Sequence, residues 1–211
     1  NAPHPRAAAL SVLGEHSDRA GVEPAVANWE GADLEQAIVD AGGCAAVMHD
    51  LDAWSRPPQG AAVAREPLVH WQAFPAAQSR WTGGTADRPL AGLKVLDLTR
   101  VLAGPVAGRF MAAYGANVLR IDPPDWNEPA VEPDVTLGKR CARLDLKSSE
   151  GRAAFKILLA DADVLLHGYR RDALERLGFS SEEMHRINPS LIEASLNAYG
   201  WIGPWTARRG F

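Results

Sequence analysis

One run of residues limits what this chain can become more than any other: Pro89-Leu90-Ala91-Gly92-Leu93-Lys94-Val95-Leu96-Asp97-Leu98-Thr99-Arg100-Val101-Leu102-Ala103-Gly104-Pro105. It reads as a turn, a short strand from Lys94 to Leu98, a loop, and a helix that starts at Gly104-Pro105. Val95, Leu96 and Leu98 form a brief apolar run between turn residues, as in a parallel strand covered on both faces. Proline presets φ for a first helical turn, where its missing N–H costs nothing. Gly104, with no Cβ, is expected to let the backbone approach a ligand closely. A strand that feeds a helix N-terminus is an anion site in waiting, because unpaired N–H groups point outward there.

The pattern then repeats. Asn117 to Ile121 reads as a second strand, Arg143 to Leu146 as a third, Val164 to Leu166 as a fourth and Leu191 to Leu196 as a fifth. Between them lie a helix from Pro105 to Tyr114, one capped by Ser148 or Ser149 that runs to Ala160, and one opened by the capping box Ser180-Ser181-Glu182-Glu183. Strands that alternate with helices predict a doubly wound, mainly parallel α/β sheet. The Pro- and acid-rich segment from Asp122 to Pro133 is longer than a connection needs. Upstream, residues 1–74 read as a smaller α+β segment. Helices are expected at 4–13, 34–41 and 58–65, and strands at 45–49 and 68–71. Residues 75–88, rich in Pro, Ala, Gly and Thr, read as a linker to a domain at 89–211.

Charge and composition exclude several classes. Residues 1–87 carry 5 Arg and no Lys against 11 Asp and Glu, whereas residues 88–211 carry 17 Lys and Arg against 15. The acidic whole argues against nucleic acid as a partner, and the basic second part suits an anionic small molecule. No apolar run approaches the ~20 residues of a membrane span, and no signal peptide is visible. Asn1-Ala2 reads as a processed start or an expression scar. Cys44 and Cys141 stand alone, which predicts a cytoplasmic protein without disulfides, and no metal-ligand spacing occurs.

The runs PLAGLKVLDLTRVLAGP (89–105), GANVLRIDPP (115–124), GKRCARLDLKSSEGR (138–152), ADVLLHGYRRDALERLGF (162–179), NPSLIEASLNAYGWIGPW (188–205) and ARRGF (207–211) occur in this order. Together they resemble the N-terminal half of the class III CoA-transferases, a family that includes formyl-CoA:oxalate, carnitine and bile-acid CoA-transferases and the 2-methylacyl-CoA racemases. Residues 4–72 are similar, more loosely, to the family's later region, here placed first as in a longer or tandem arrangement. The resemblance implies a Rossmann-like large domain in an interlocked dimer, or a second chain that supplies the rest of the fold. It implies coenzyme A as a thioester substrate, with an acyl-CoA and a carboxylic acid as partners and no metal. An Asp carboxylate attacks the thioester to give a mixed anhydride, and the CoA thiolate leaves and returns to an acyl group carried by the new acid. In the family that Asp lies beyond the ARRGF run, so it is expected outside these 211 residues and the piece alone is expected to be inactive.

By the same resemblance, Arg100, Val101, Leu102, Ala103 and Gly104 form the loop at the pantetheine and thioester end of CoA. The N–H groups of Val101 to Ala103 are expected to face the reacting carbonyl. Arg176 and Arg209 match basic residues near the CoA nucleotide, Lys139 and Arg140 border the adenine or 3′-phosphate, and Tyr169 stacks on adenine. Each has a plainer alternative. Arg176 can pair with Asp172 on a helix surface, Lys139-Arg140 can be a solvated strand end, and Tyr169 can be a buried aromatic. Asp97 is expected to be a hydrogen-bonded structural carboxylate. Two other functions compete: a racemase-like member, for which Gly210-Phe211 stands where racemases carry a His base, and a non-catalytic CoA-binding subunit. A dinucleotide oxidoreductase is disfavoured because the first turn lacks Gly-x-Gly-x-x-Gly.

Overall fold

The computed structural model describes residues 3–75, 77–170 and 172–210, which form two compact units, Asn1–His70 with Asn197–Phe211 and Trp71–Leu196. The first unit contains helices α1 (Pro3–Leu13), α2 (Arg19–Ala27), α3 (Gly31–Asp40), α4 (Leu51–Ser55) and α5 (Pro58–Val63). Asp18 caps α2 by accepting the Gly21 N–H, and Asp50 caps α4 by accepting that of Ala53. No strand occurs among its described residues, which corrects the α+β expectation for this segment. Residues 45–49 form neither strand nor helix; the Val47 N–H donates instead to Glu35 Oε2 at 2.8 Å. Leu68, Val69 and Trp71 are largely exposed, so nothing buries the apolar side that a strand there would need.

Two polar side chains, the buried Gln59 and the half-buried Glu66, hold 197–210 within that unit. Gln59, 1% exposed, donates from Nε2 to the carbonyls of Tyr199 and Ile202 and accepts the Trp205 N–H on Oε1 at 2.7 Å. The Glu66 carboxylate accepts the N–H groups of Trp201 and Ile202.

In the second unit the order is β1 (Lys94–Leu98), α6 (Ala103–Ala113), β2 (Asn117–Asp122), α7 (Glu132–Val135), β3 (Arg140–Arg143), α8 (Ser149–Asp161), β4 (Val164–His167), α9 (Ser181–Ile187) and β5 (Ile192–Ser195). The five strands are all parallel, in the spatial order β3-β2-β1-β4-β5. Side chains alternate across β1. Val95 packs with Val118, Val164 and Ala112 of α6 on one face, while Leu96 and Leu98 pack with Phe155 and Leu159 of α8 on the other. The sheet is therefore doubly wound. β3 lies three residues earlier than expected, because Leu144 and Leu146 pack against the core beyond the strand end. As an edge strand, Arg140–Arg143 is exposed throughout and carries an arginine at each end.

The segment before β1 is tied down rather than loose: the Trp81 indole donates to the Ala91 carbonyl at 2.9 Å, and Arg80 donates to the carbonyls of Ala160 and Ala162 at the end of α8. No helix among the described residues is long and apolar enough to cross a membrane.

Candidate functional site

In an open parallel sheet, ligands bind outside the carboxyl ends of the strands, where the strand order reverses. Here that point lies between β1 and β4, whose ends pair as Leu98 with His167. The loop Thr99–Leu102 and the start of α6 leave β1 there, and Gly168-Tyr169-Arg170 leave β4.

The floor of the site is a charged core. Asp97, fully buried, accepts the Lys139 ammonium on Oδ2 at 2.7 Å and the Thr99 N–H on Oδ1 at 2.9 Å, with the Thr99 hydroxyl donating to the same oxygen. Lys139 also donates to the Pro105 carbonyl at 2.7 Å. Its side chain is 0% exposed and both bonds are internal, so the ammonium expected at the coenzyme instead staples α6 to β1. The pair fits only because residue 108 is glycine; a Cβ there would lie 2.5 Å from Asp97 Oδ2. Gly104 has a similar reason. A Cβ would meet the Thr99 side chain at 2.3 Å, so helix-to-loop packing by itself requires a glycine here.

A second buried network holds the loop itself. Arg120, 1% exposed on β2, donates from Nε to Asp122 Oδ2 at 2.7 Å and from Nη2 to Glu128 Oε2 at 2.8 Å. Burial alone would lower the Arg120 pKa; hydrogen bonds and charge from Asp122, then from Glu128, outweigh it and push it above the ordinary value. The other oxygen of Glu128 accepts the Val101 N–H at 2.8 Å. Val101 is the one non-glycine residue with positive φ among those described (68°), a conformation that costs a β-branched residue roughly 1–3 kcal/mol. The Val101 N–H, expected at the reacting carbonyl, is held by Glu128 in this structure. Leu102 and Ala103 are exposed at the start of α6, and no side chain caps that helix, so its first-turn N–H groups keep their outward capacity.

Arg100 and Tyr169 do come together. Arg100 Nη2 donates to the Tyr169 hydroxyl at 2.7 Å, and its guanidinium lies 4.9 Å from the Tyr169 ring centre and 4.8 Å from that of Trp126. Four buried side-chain nitrogens lack a hydrogen-bond partner among the described residues: Arg100 Nε, Arg120 Nη1, Trp126 Nε1 and His167 Nδ1. All four belong to residues at the carboxyl end of this sheet. His167 uses its other nitrogen, Nε2, on Glu193 Oε1 at 3.1 Å.

The remaining expected residues lie elsewhere. Arg140 is exposed on edge strand β3. Arg176, in a short 3-10 turn after β4, pairs with Asp172 on an exposed surface, as its plainer alternative has it. Arg209 belongs to the first unit, where its carbonyl accepts the Cys44 thiol at 3.5 Å. Phe211 and Arg171, which fall in the matched runs, lie outside the described residues, as do Asn1 and Ala2. Glu128, Arg120 and Trp126 escape sequence reading. The one signal that could have found them is the unexplained length of the Asp122–Pro133 segment, which returns Glu128 to the β1 loop.

Comparison with known proteins sets this site in context. The sequence profile of CoA-transferase family III matches residues 90–211. The acetyl-coenzyme A transferase nodX of Hypoxylon pulicicidum is 37% identical over 151 residues, covering 69% of this chain and 25% of that protein. An acyl-CoA transferase of Gibberella moniliformis is 28% identical over 207 residues, covering 90% of this chain and 35% of the relative. Among solved structures, a CAIB/BAIF family protein from Brucella suis superposes with a TM-score of 0.52 at 33% identity, over 59% of this chain and 37% of that one. The chain thus spans a quarter to about two fifths of the length of these relatives.

Proposed function

The chain belongs to CoA-transferase family III, and from that membership we propose that its switch-point crevice receives the thioester end of an acyl-CoA for transfer of CoA between carboxylic acids. The observation that carries this reading is the convergence at one sheet end of an uncapped helix N-terminus with unpartnered donors on Arg100 and Trp126. An acyl thioester and its coenzyme bring the complementary groups: carbonyl oxygens and phosphates that accept hydrogen bonds, and a planar base. In this reading the amides of the N-cap residue Leu102 and of Ala103, the first residue of α6, stabilise the oxyanion that forms when a carboxylate attacks the thioester carbonyl. Arg100 and Tyr169 bind the coenzyme, and Arg140 and Arg176, on the same unit, are candidates for its phosphates. Lys139 acts only as a staple.

The attacking carboxylate is proposed to be an Asp outside residues 1–211; Asp97 is committed to Lys139 and Thr99 and is not offered for that role. Both edge strands, β3 and β5, pair on one side only among the described residues, and Leu102, Val106, Phe110 and Tyr114 form an exposed stripe along α6. That surface supports a family-type interlocked dimer, or further chain, packed over this unit. Calorimetric titration with acetyl-CoA tests the reading. Saturable binding is expected, weakened at least tenfold in Arg100→Ala; no heat up to millimolar ligand would overturn it.

A further inference from the structure

Glu128 spends both carboxylate oxygens on the protein. One accepts the N–H of Val101 and the other accepts Arg120, each at 2.8 Å. It faces a residue in a strained left-handed conformation, φ 68°, immediately before the first exposed amides of α6. Strain of this kind persists only where the surroundings over-determine it. Here the surroundings can be named. Arg120 is buried to within 1% and pinned by Asp122, and Glu128 is pinned by Arg120. A rigid strand therefore dictates the backbone turn of a loop on its neighbour.

We propose that Glu128 is a positioning residue: it holds Val101 in the left-handed turn, and the turn in turn presents the Leu102 and Ala103 amides to the acyl-CoA carbonyl. This rests on the acyl-CoA reading above. With both oxygens occupied, Glu128 touches no substrate and is not catalytic. The long loop after β2 has a purpose on this account, which is to bring one carboxylate back across the sheet.

Glutamine at this position has a single acceptor oxygen, so it must abandon either Val101 or Arg120. The experiment compares binding of acetyl-CoA with binding of adenosine 3′,5′-bisphosphate, which lacks the thioester end, and follows hydrogen exchange of the loop amides. Glu128→Gln is expected to weaken acetyl-CoA about tenfold, leave the bisphosphate within about twofold, and speed exchange of the Val101 amide at least tenfold with β1 unchanged. Glycine adopts the turn without strain, so in a Val101→Gly background the same substitution should cost less than about threefold. If Glu128→Gln does not fold, Glu128→Asp, one methylene short, should show the same selectivity for acetyl-CoA. Equal loss for both ligands, an undiminished loss in the Val101→Gly background, or unchanged exchange at Val101 would overturn the proposal. Absence of acetyl-CoA binding in the parent protein, with the exchange effect intact, would instead refute the acyl-CoA reading and reduce Glu128 to a fold clamp.

Discussion

Replacing Lys139 by methionine keeps the length of the side chain and removes its charge, which strands Asp97 in the core. The two are 2.7 Å apart with both side chains at 0% exposure. At an effective dielectric of 20 their attraction is about 6 kcal/mol, most of it offset by the several kcal/mol each ion loses on leaving water. The intact pair is therefore worth little net, yet breaking it is expensive. Asp97 would keep the Thr99 N–H and hydroxyl on Oδ1 but nothing on Oδ2, and the Pro105 carbonyl would lose its donor. A buried carboxylate without its cation costs about 3–5 kcal/mol. With a urea m-value of about 2–3 kcal/mol/M, the midpoint should fall by roughly 1.5 M, followed by far-UV circular dichroism. The double variant Asp97→Asn/Lys139→Met, which removes both charges, should recover part of the loss. A Lys139→Met midpoint within about 0.3 M of the parent, or a double variant less stable than the single, would refute the view that a stranded charge is what hurts.

The other expectations concern separate parts of the fold. Gly108→Ala should destabilise by about 1–3 kcal/mol in thermal melts although alanine favours helix, because its Cβ would press on the buried Asp97–Lys139 pair. For Glu193, burial by itself raises the pKa, but hydrogen bonds from His167 and Ser181 outweigh it and leave the carboxyl below its usual range. A depressed carboxyl adds stability above its unfolded pKa of about 4.3 and loses it as pH falls through the folded value. The stability gap between parent and Glu193→Gln, from urea titrations, should thus narrow between about pH 6 and pH 3; a constant gap would sink this. Gln59→Leu strands three backbone groups and should cost about 3 kcal/mol, with faster hydrogen exchange at the Trp205 amide as the local sign.

The parts of the fold that sequence reading recovers are those dictated within a few residues. β1, β2, β4 and β5 follow from short apolar runs, α8 and α9 from serine caps whose side chains accept the Gly151 and Glu183 amides, and α6 from its proline. What fails is what depends on neighbours distant in sequence. Ala45 to His49 have strand-like composition but no edge to join, and Leu144 with Leu146 draw the third strand too far along because a buried loop and a buried strand share one composition. At the site, Arg100 and Tyr169 could be pointed to by resemblance. The Arg120–Glu128–Val101 chain could not, since a valine at positive φ leaves no mark in composition and depends on a carboxylate 27 residues away. Lys139 misleads for the same reason: a lysine beside a loop reads as solvated until its partner is known.

The first unit joins residues 1–70 to residues 197–211, and the whole sheet lies between these two stretches in sequence. During synthesis at about 5–20 residues per second, the first helices wait on the order of ten seconds for the segment 199–205 that Gln59 and Glu66 grip. The sheet needs no such delay, because each of its strands meets a partner already made or soon to follow. Within residues 1–211, the parallel sheet can therefore settle before the helices of residues 3–63 gain the segment that Gln59 and Glu66 hold.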